Sequence, residues 1–160
     1  NYRTDIYPKK MRVVLQRVSK ASVQVHHEIN AVMQHGLLIL LGIEAEDGQE
    51  DIDWLCNKIV KMRIFNDEND AMNLSLLDVD GDAIVVSQFT LHASTKKGNR
   101  PSFIKAAKPD VAVPLYEKFL VKLEEALGKP VGSGKFGADM KVELINDGPV
   151  TILMDSKDKS

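Results

Sequence analysis

A serine, a glutamine and a threonine close the apolar run at residues 83–86, in the order Ser87-Gln88-Phe89-Thr90-Leu91, with His92 next. Read as a strand of period two, Gln88, Thr90 and His92 share one face, and Ser87, Phe89 and Leu91 the other. An amide, a hydroxyl and an imidazole then point together, as a binding or hydrolytic site requires; the same text also fits a strand whose polar end meets solvent. A threonine hydroxyl attacks only when a neighbouring base takes its proton; the block from Ser87 to Leu91 supplies none, and His92, on the same face, lies outside it, so Thr90 is expected to position rather than attack. The second notable place is Gly148-Pro149. Proline cannot donate to a sheet ladder, and X-Pro is the linkage that populates cis readily. The pair is therefore either an ordinary tight turn or a rigid mount for two outward carbonyl acceptors.

Other chemistry fails on spacing. His26, His27 and His35 have no paired cysteines and no H-E-x-x-H pattern, so no metal site is expected. Gly132-Ser133-Gly134-Lys135-Phe136-Gly137 looks like a phosphate loop, yet position 129 is lysine and Phe136 stands where Ser or Thr must hold magnesium. In Asp78-Val79-Asp80-Gly81-Asp82 the glycine comes too early for a calcium loop, which leaves a turn. Cys56 lies on a helical apolar stripe with no base at helical spacing, which marks a buried structural thiol.

These residues need a frame. Residues 11–18 and 21–25 read as two strands, a third extended piece lies at 31–34, and the glycine-bounded run 36–43 reads as a central strand buried on both faces. Asp47 opens a helix whose stripe is Ile52, Leu55, Cys56, Ile59 and Met62. Residues 78–82 feed a strand over 83–91. A second helix begins near Asp110, with Leu115, Phe119, Leu123 and Leu127 at i+4 steps, and stops at Gly128 and Pro130. Residues 140–145 and 150–154 read as two strands joined by a turn at 146–149. The expected fold is α/β of the α+β kind: a compact, barrel-like mixed sheet of six or seven strands with two main helices. Residues 1–10 are read as a disordered or artificial extension, and residues 11–160 as one domain.

The chain has 160 residues, 44% of them apolar, enough for one self-sufficient core. One cysteine excludes an intrachain disulfide and fits a reducing, cytoplasmic setting. No apolar run approaches the ~20 residues that span a bilayer, so no membrane partner is expected. With 21 basic and 23 acidic residues, bulk charge does not coat nucleic acid. The charge is segregated, however: residues 44–53 hold six acids and no base, whereas residues 83–109 hold no acid and five bases, Lys96, Lys97, Arg100, Lys105 and Lys108. Such a cluster is either a solvated loop or a local phosphate-binding surface, because screening limits fields to about 8–10 Å.

Taken together, Met11-Arg12-Val13-Val14-Leu15-Gln16-Arg17-Val18, Ser87-Gln88-Phe89-Thr90-Leu91, Lys97-Gly98-Asn99-Arg100-Pro101-Ser102-Phe103, Lys135-Phe136-Gly137-Ala138-Asp139-Met140 and Asn146-Asp147-Gly148-Pro149-Val150-Thr151 resemble the D-aminoacyl-tRNA deacylases. The resemblance spans residues 11–155, and the second and last blocks carry most of its specificity. It implies a homodimer without cofactor or metal. The reaction implied is hydrolysis of the ester joining a D-amino acid, or glycine mischarged on an alanine tRNA, to the terminal adenosine of tRNA. It places Ser87, Gln88, Phe89 and Thr90 around the ester. Gly148 and Pro149 would form a cis-peptide filter that reaches the partner subunit's site and sterically rejects L-amino acids, braced across the dimer by Arg17. Phe136, Gly137 and Met140 would grip the adenosine, and Lys96, Lys97 and Arg100 the acceptor-stem phosphates. The alternative is a non-catalytic RNA- or partner-binding domain on the same fold.

Overall fold

The structure is a computed structural model that describes residues 11–158, so the reading of residues 1–10 lies outside the described range. The expected first two strands are one, β1 (Arg12–Val25), because the burial of Val13, Leu15, Arg17, Ala21, Val23 and Val25 keeps the same parity through the exposed Ser19-Lys20. β2 (Glu28–Met33) returns from a turn in which His26 and His27 both take positive φ. β3 (Gly36–Gly42) is apolar throughout and sits mid-sheet, as expected of a strand covered on both faces.

α1 (Gln49–Lys61) starts two residues later than the sequence marks, because Asp47 folds back to accept the Glu44 N–H at 2.6 Å. The Asp51 carboxylate instead accepts the Gly48 N–H at 2.9 Å and closes the helix start. Ile52, Leu55, Cys56 and Ile59 form the buried stripe, and burial pushes the Cys56 thiol up to about 12. A short ribbon follows, β4 (Phe65–Asn66) against β5 (Met72–Leu74), and then β6 (Asp82–Ser87). α2 (Pro109–Leu127) has proline at its first position and ends on Gly128 at φ 81°, the left-handed cap that glycine favours. Its buried face is Ala112, Tyr116, Phe119, Leu123 and Leu127, while Leu115 is only half-buried. β7 (Gly132–Ser133) precedes β8 (Met140–Asp155), which runs unbroken where two strands and a turn were expected.

The main sheet has the order β2-β1-β3-β6-β7, with β8 along the other edge of β1. β1 pairs with β3 through residues 12–18, with β2 through 21–25, and with β8 along its whole length, so the sheet curls into a nearly closed barrel. β3, β6 and β7 run parallel, which brings the carboxyl ends of β3 and β6 to one edge. One core packs α1 and α2 against Leu15, Leu37, Ile39 and Val85, and a second joins Val23, Leu38, Ile84 and Val86 on the opposite face. Each such side chain contributes roughly 1.5–3 kcal/mol on burial, so both faces of the sheet are stabilised by packing.

Candidate active site

Parallel strands leave their last side chains at the rim of a crevice, where open α/β sheets bind ligands. Here the ends of β3 (Leu41, then Ile43) and β6 (Val86, Ser87) meet Ala112 of α2 and the start of β8 (Met140, Val142) around a cavity of about 280 Å³. Gln88, Phe89, Phe136 and Gly137 also line it, with Ala107 and Ala138. Six of the residues selected from sequence, namely Ser87, Gln88, Phe89, Phe136, Gly137 and Met140, thus come together from segments about 50 positions apart.

The strand does not continue to Leu91 as expected. After Ser87 the chain enters a 3₁₀ turn, Phe89–His92, with Gln88 as the hinge. The shared face of Gln88, Thr90 and His92 is therefore wrong: the turn keeps Thr90 exposed and drives His92 into the protein, where it is 2% exposed. The Gln88 side-chain amide donates to Thr90 Oγ1, and the Gln88 N–H donates to the Leu41 carbonyl at 2.8 Å. His92 Nδ1 lies 3.2 Å from Glu44 Oε1, so it is turned away from the Thr90 hydroxyl that it was expected to face. Phe89 is 55% exposed and meets Phe103 edge-on at 5.1 Å.

Two residues that support this arrangement escaped the sequence reading. Tyr116 donates its hydroxyl proton to the Val85 carbonyl at 2.7 Å and holds its ring 6.0 Å from that of Phe136. Burial pushes its phenol up to about 12, so it stays a donor. Its signal was masked because it lies one position off the leucine ladder. Gly42 was read only as the end of an apolar run; a Cβ there would stand 2.9 Å from Leu91 Cβ and 3.2 Å from the Gln88 carbonyl, so the turn rests on its bare Cα.

The basic loop is pinned at its ends and free between them. Ser94 and Ser102 exchange backbone hydrogen bonds, and the Ala107 N–H donates to the Ile43 carbonyl beside the cavity. Lys96, Lys97, Arg100, Lys105 and Lys108 are all exposed.

Gly148 and Pro149 do not line this cavity. They stand in a four-residue bulge of β8, residues 147–150, opposite Arg17 alone, between the pairs Gln16 with Thr151 and Val18 with Asn146. The motif is a staple for that bulge. Asn146 Oδ1 accepts the Val150 N–H at 3.0 Å and its amide donates to Thr151 Oγ1 at 3.0 Å. Buried Arg17 donates from Nε to the Asp147 carbonyl at 3.0 Å, and from Nη1 to the Ile64 carbonyl at 2.8 Å and to Asn66 Oδ1 at 3.0 Å. These three contacts are made within the chain. Gly148 has φ 132°, and a Cβ on it would approach Val150 Cγ2 to 2.9 Å. The Gly148–Pro149 bond is cis, and both residues project into the open. Among the described residues no group of three His, Cys, Asp or Glu side chains is placed to hold a metal ion, and no helix is long and apolar enough to cross a membrane.

The family described as D-Tyr-tRNA(Tyr) deacylase matches residues 14–155. The chain is 72% identical over 149 residues to the D-aminoacyl-tRNA deacylase of Christiangramia forsetii and 64% identical over 149 residues to that of Bacteroides thetaiotaomicron, covering in each case 93% of this chain and 99% of the relative. Among solved structures it superposes on the c-Myc DNA Unwinding Element Binding Protein with TM-score 0.84 at 39% identity, covering 90% of this chain and 97% of the other. A probable eukaryotic D-amino acid tRNA deacylase gives TM-score 0.78 at 19% identity over 91% and 99%, a likeness of fold. With the match running from β1 to the end of β8 and the relatives alike over nearly their whole length, the chain belongs to the D-Tyr-tRNA(Tyr) deacylase family.

Proposed function

We propose that this protein hydrolyses the ester of D-aminoacyl-tRNA, releasing free amino acid and tRNA, and accepts glycyl-tRNA by the same route. The observation that carries the reading is the cavity itself, in which the polar end of β6 and the Phe89 turn face the Phe136-Gly137 and Met140 wall at the edge of a basic loop. Its volume of about 280 Å³ lies near the lower end of the roughly 300–1,000 Å³ range of small-molecule pockets, and suits one nucleoside with a small acyl group. Phe136, Gly137 and Met140 hold the terminal adenosine, with stacking worth about 1–3 kcal/mol. Lys96, Lys97 and Arg100 take the phosphates that follow.

Water adds to the acyl carbon, the N–H groups of Phe89 and Thr90 receive the developing oxyanion, and the ester bond to the ribose oxygen breaks, that oxygen taking up a proton. Each oxyanion donor is worth about 3–4 kcal/mol. The ribose 2′-hydroxyl assists the water, and Thr90 positions rather than attacks. What supports that role is the surroundings of Thr90 among the described residues: Gln88 donates to its oxygen, and His92, the base nearest in sequence, points inward to Glu44. Enantiomer choice is assigned to the Gly148-Pro149 bulge of a second copy, entering the cavity with two carbonyl oxygens toward the α-carbon. A hydrogen passes there and an L-side chain collides, so glycine passes too. The support is the braced, outward-projecting bulge, which its own cavity does not use. On this reading the protein works as a homodimer in the cytoplasm without cofactor.

Following amino-acid release from D-Tyr-tRNA and L-Tyr-tRNA tests the activity. Selective release from the D-ester is expected; binding of both without release would leave the non-catalytic RNA-binding domain. In the same assay Thr90→Ala should retain a measurable rate, and a trapped acyl-Thr90 intermediate in the unsubstituted protein would overturn the water mechanism.

A further inference from the structure

His92 is the buried side chain of the 3₁₀ turn, and the preceding turn residues are half-buried or exposed. The turn's own backbone bonds are few: the Leu91 N–H donates to the Gln88 carbonyl at 3.2 Å and the Ala93 N–H to the Thr90 carbonyl at 3.1 Å. A four-residue 3₁₀ turn with exposed Phe89 and Thr90 does not hold its place through such contacts alone. The side chains that tie it down come from three elements. Glu44, just past β3, meets His92 Nδ1 at 3.2 Å. Arg12 of β1 donates from Nη1 to the Leu91 carbonyl at 2.9 Å while its Nε pairs with Asp155 of β8 at 3.1 Å. Gly42 lets the imidazole and Leu91 lie directly on β3, since even a methyl group there would stand 3.1 Å from His92 Cδ2.

We propose that His92, docked over Gly42 and paired with Glu44, is a positioning residue for the deacylation reaction: it sets where the Phe89 and Thr90 backbone N–H groups stand at the mouth of the cavity. The assignment rests on the deacylase reading. The chemistry suits it. Burial holds the imidazole's pKa below its usual value, against the opposing pull of the Gly42 carbonyl, Glu44 and Asp155 and with the help of Arg12. The shift favours the neutral ring near pH 7, and Glu44 Oε1 stands 3.2 Å from Nδ1, while neither ring nitrogen makes a hydrogen bond of good geometry. A neutral, oriented imidazole gives one fixed rotamer and so one fixed height for the turn. A misplacement of about 1 Å in a catalytic group costs on the order of 100-fold in rate. The effect falls on groups that act in the transition state, so it appears in kcat rather than KM.

The test uses the full chain with His92→Leu, which keeps the packing, His92→Asn, which keeps an N–H near the Nδ1 position, Glu44→Gln, and the His92→Leu/Glu44→Gln double variant. On D-Tyr-tRNA, His92→Leu and Glu44→Gln should each lower kcat at least about tenfold with KM within about twofold. The double variant should be little worse than either single, because the two side chains act as one pair, and His92→Asn should recover much of the loss. Wild-type kcat in both single variants, or a lowered melting temperature with kcat unchanged, would overturn the proposal. Backbone amide exchange at residues 89–91 needs no substrate and separates the two claims. Faster exchange in both variants is expected, and unchanged exchange would defeat the positioning role. A wild-type protein that fails to hydrolyse D-Tyr-tRNA would defeat the deacylase reading instead, and the exchange result would still decide the role of His92.

Discussion

Asp47 shows how a single carboxylate can be fixed by its neighbours rather than by its own chemistry. One oxygen accepts the Glu44 N–H, and burial with Asp51 and Glu44 nearby raises its pKa to about 7 from the usual 3.8. The folded protein therefore binds a proton at Asp47 more tightly than the unfolded chain does between those two values. The contribution to stability is complete below about pH 4 and is lost as pH rises through 7. Asp47→Asn keeps an acceptor for the Glu44 N–H and cannot ionise. It should stabilise the protein by at least about 1 kcal/mol at pH 8 and fade to no effect near pH 4, which thermal melts at the two pH values would measure. An equal effect at both would show that ionisation of Asp47 is not involved. The same logic of surroundings separates His92 from Thr90: two residues apart in the chain, one is buried beside Glu44 and the other is exposed to solvent.

Among the elements, the parallel pair β3 and β6 determines where the cavity opens. Their register begins at Gly36, opposite Asp82, where the Asp82 N–H donates to the His35 carbonyl at 3.0 Å. Gly36 has φ 158°, and a Cβ would lie 1.9 Å from the Asp82 carbonyl oxygen. Gly36→Ala must push the strands apart and should cost at least about 3 kcal/mol. Urea unfolding would register the loss as a lower midpoint, and an unchanged midpoint would refute this account of the strand start. The turn at Phe89 and the β8 bulge are the two places where strand text departs from a strand. In both, side chains from other elements take over the backbone's partners: Arg12 for the Leu91 carbonyl and Arg17 for the Asp147 carbonyl.

Over the whole molecule, a net charge of −2 conceals a division of labour. The acid-free span 83–109 carries both the Phe89–His92 turn and the exposed lysines and arginine, and it is bridged to the barrel where Ala106 meets Glu44. An RNA held through Lys96 and Lys97 releases counterions on binding, so affinity should fall steeply with salt. Lys96→Glu/Lys97→Glu should raise KM for D-Tyr-tRNA and flatten its dependence on salt, with kcat nearly unchanged. A KM indistinguishable from wild type across a salt series would return the loop to a merely solvated role.

Whatever rests on local pattern is legible along the chain: the apolar run of β3, the stripe of α1, the glycine stop of α2, the buried Cys56, and the blocks that mark the family. The single long strands β1 and β8 were not legible, because Ser19-Lys20 and the 146–149 segment carry turn-like composition that only pairing across the sheet turns into continuous strand. Nor was the inward rotation of His92, since period two holds only while a neighbour offers a ladder, and Ser87 is the last residue of β6 paired with β3. Tertiary structure also decided that residues near 42, 88, 116 and 136 share one cavity wall or its support. Contacts between distant segments depend on how the sheet curls, and that curl is set by the sum of many pairings rather than by any one stretch of chain.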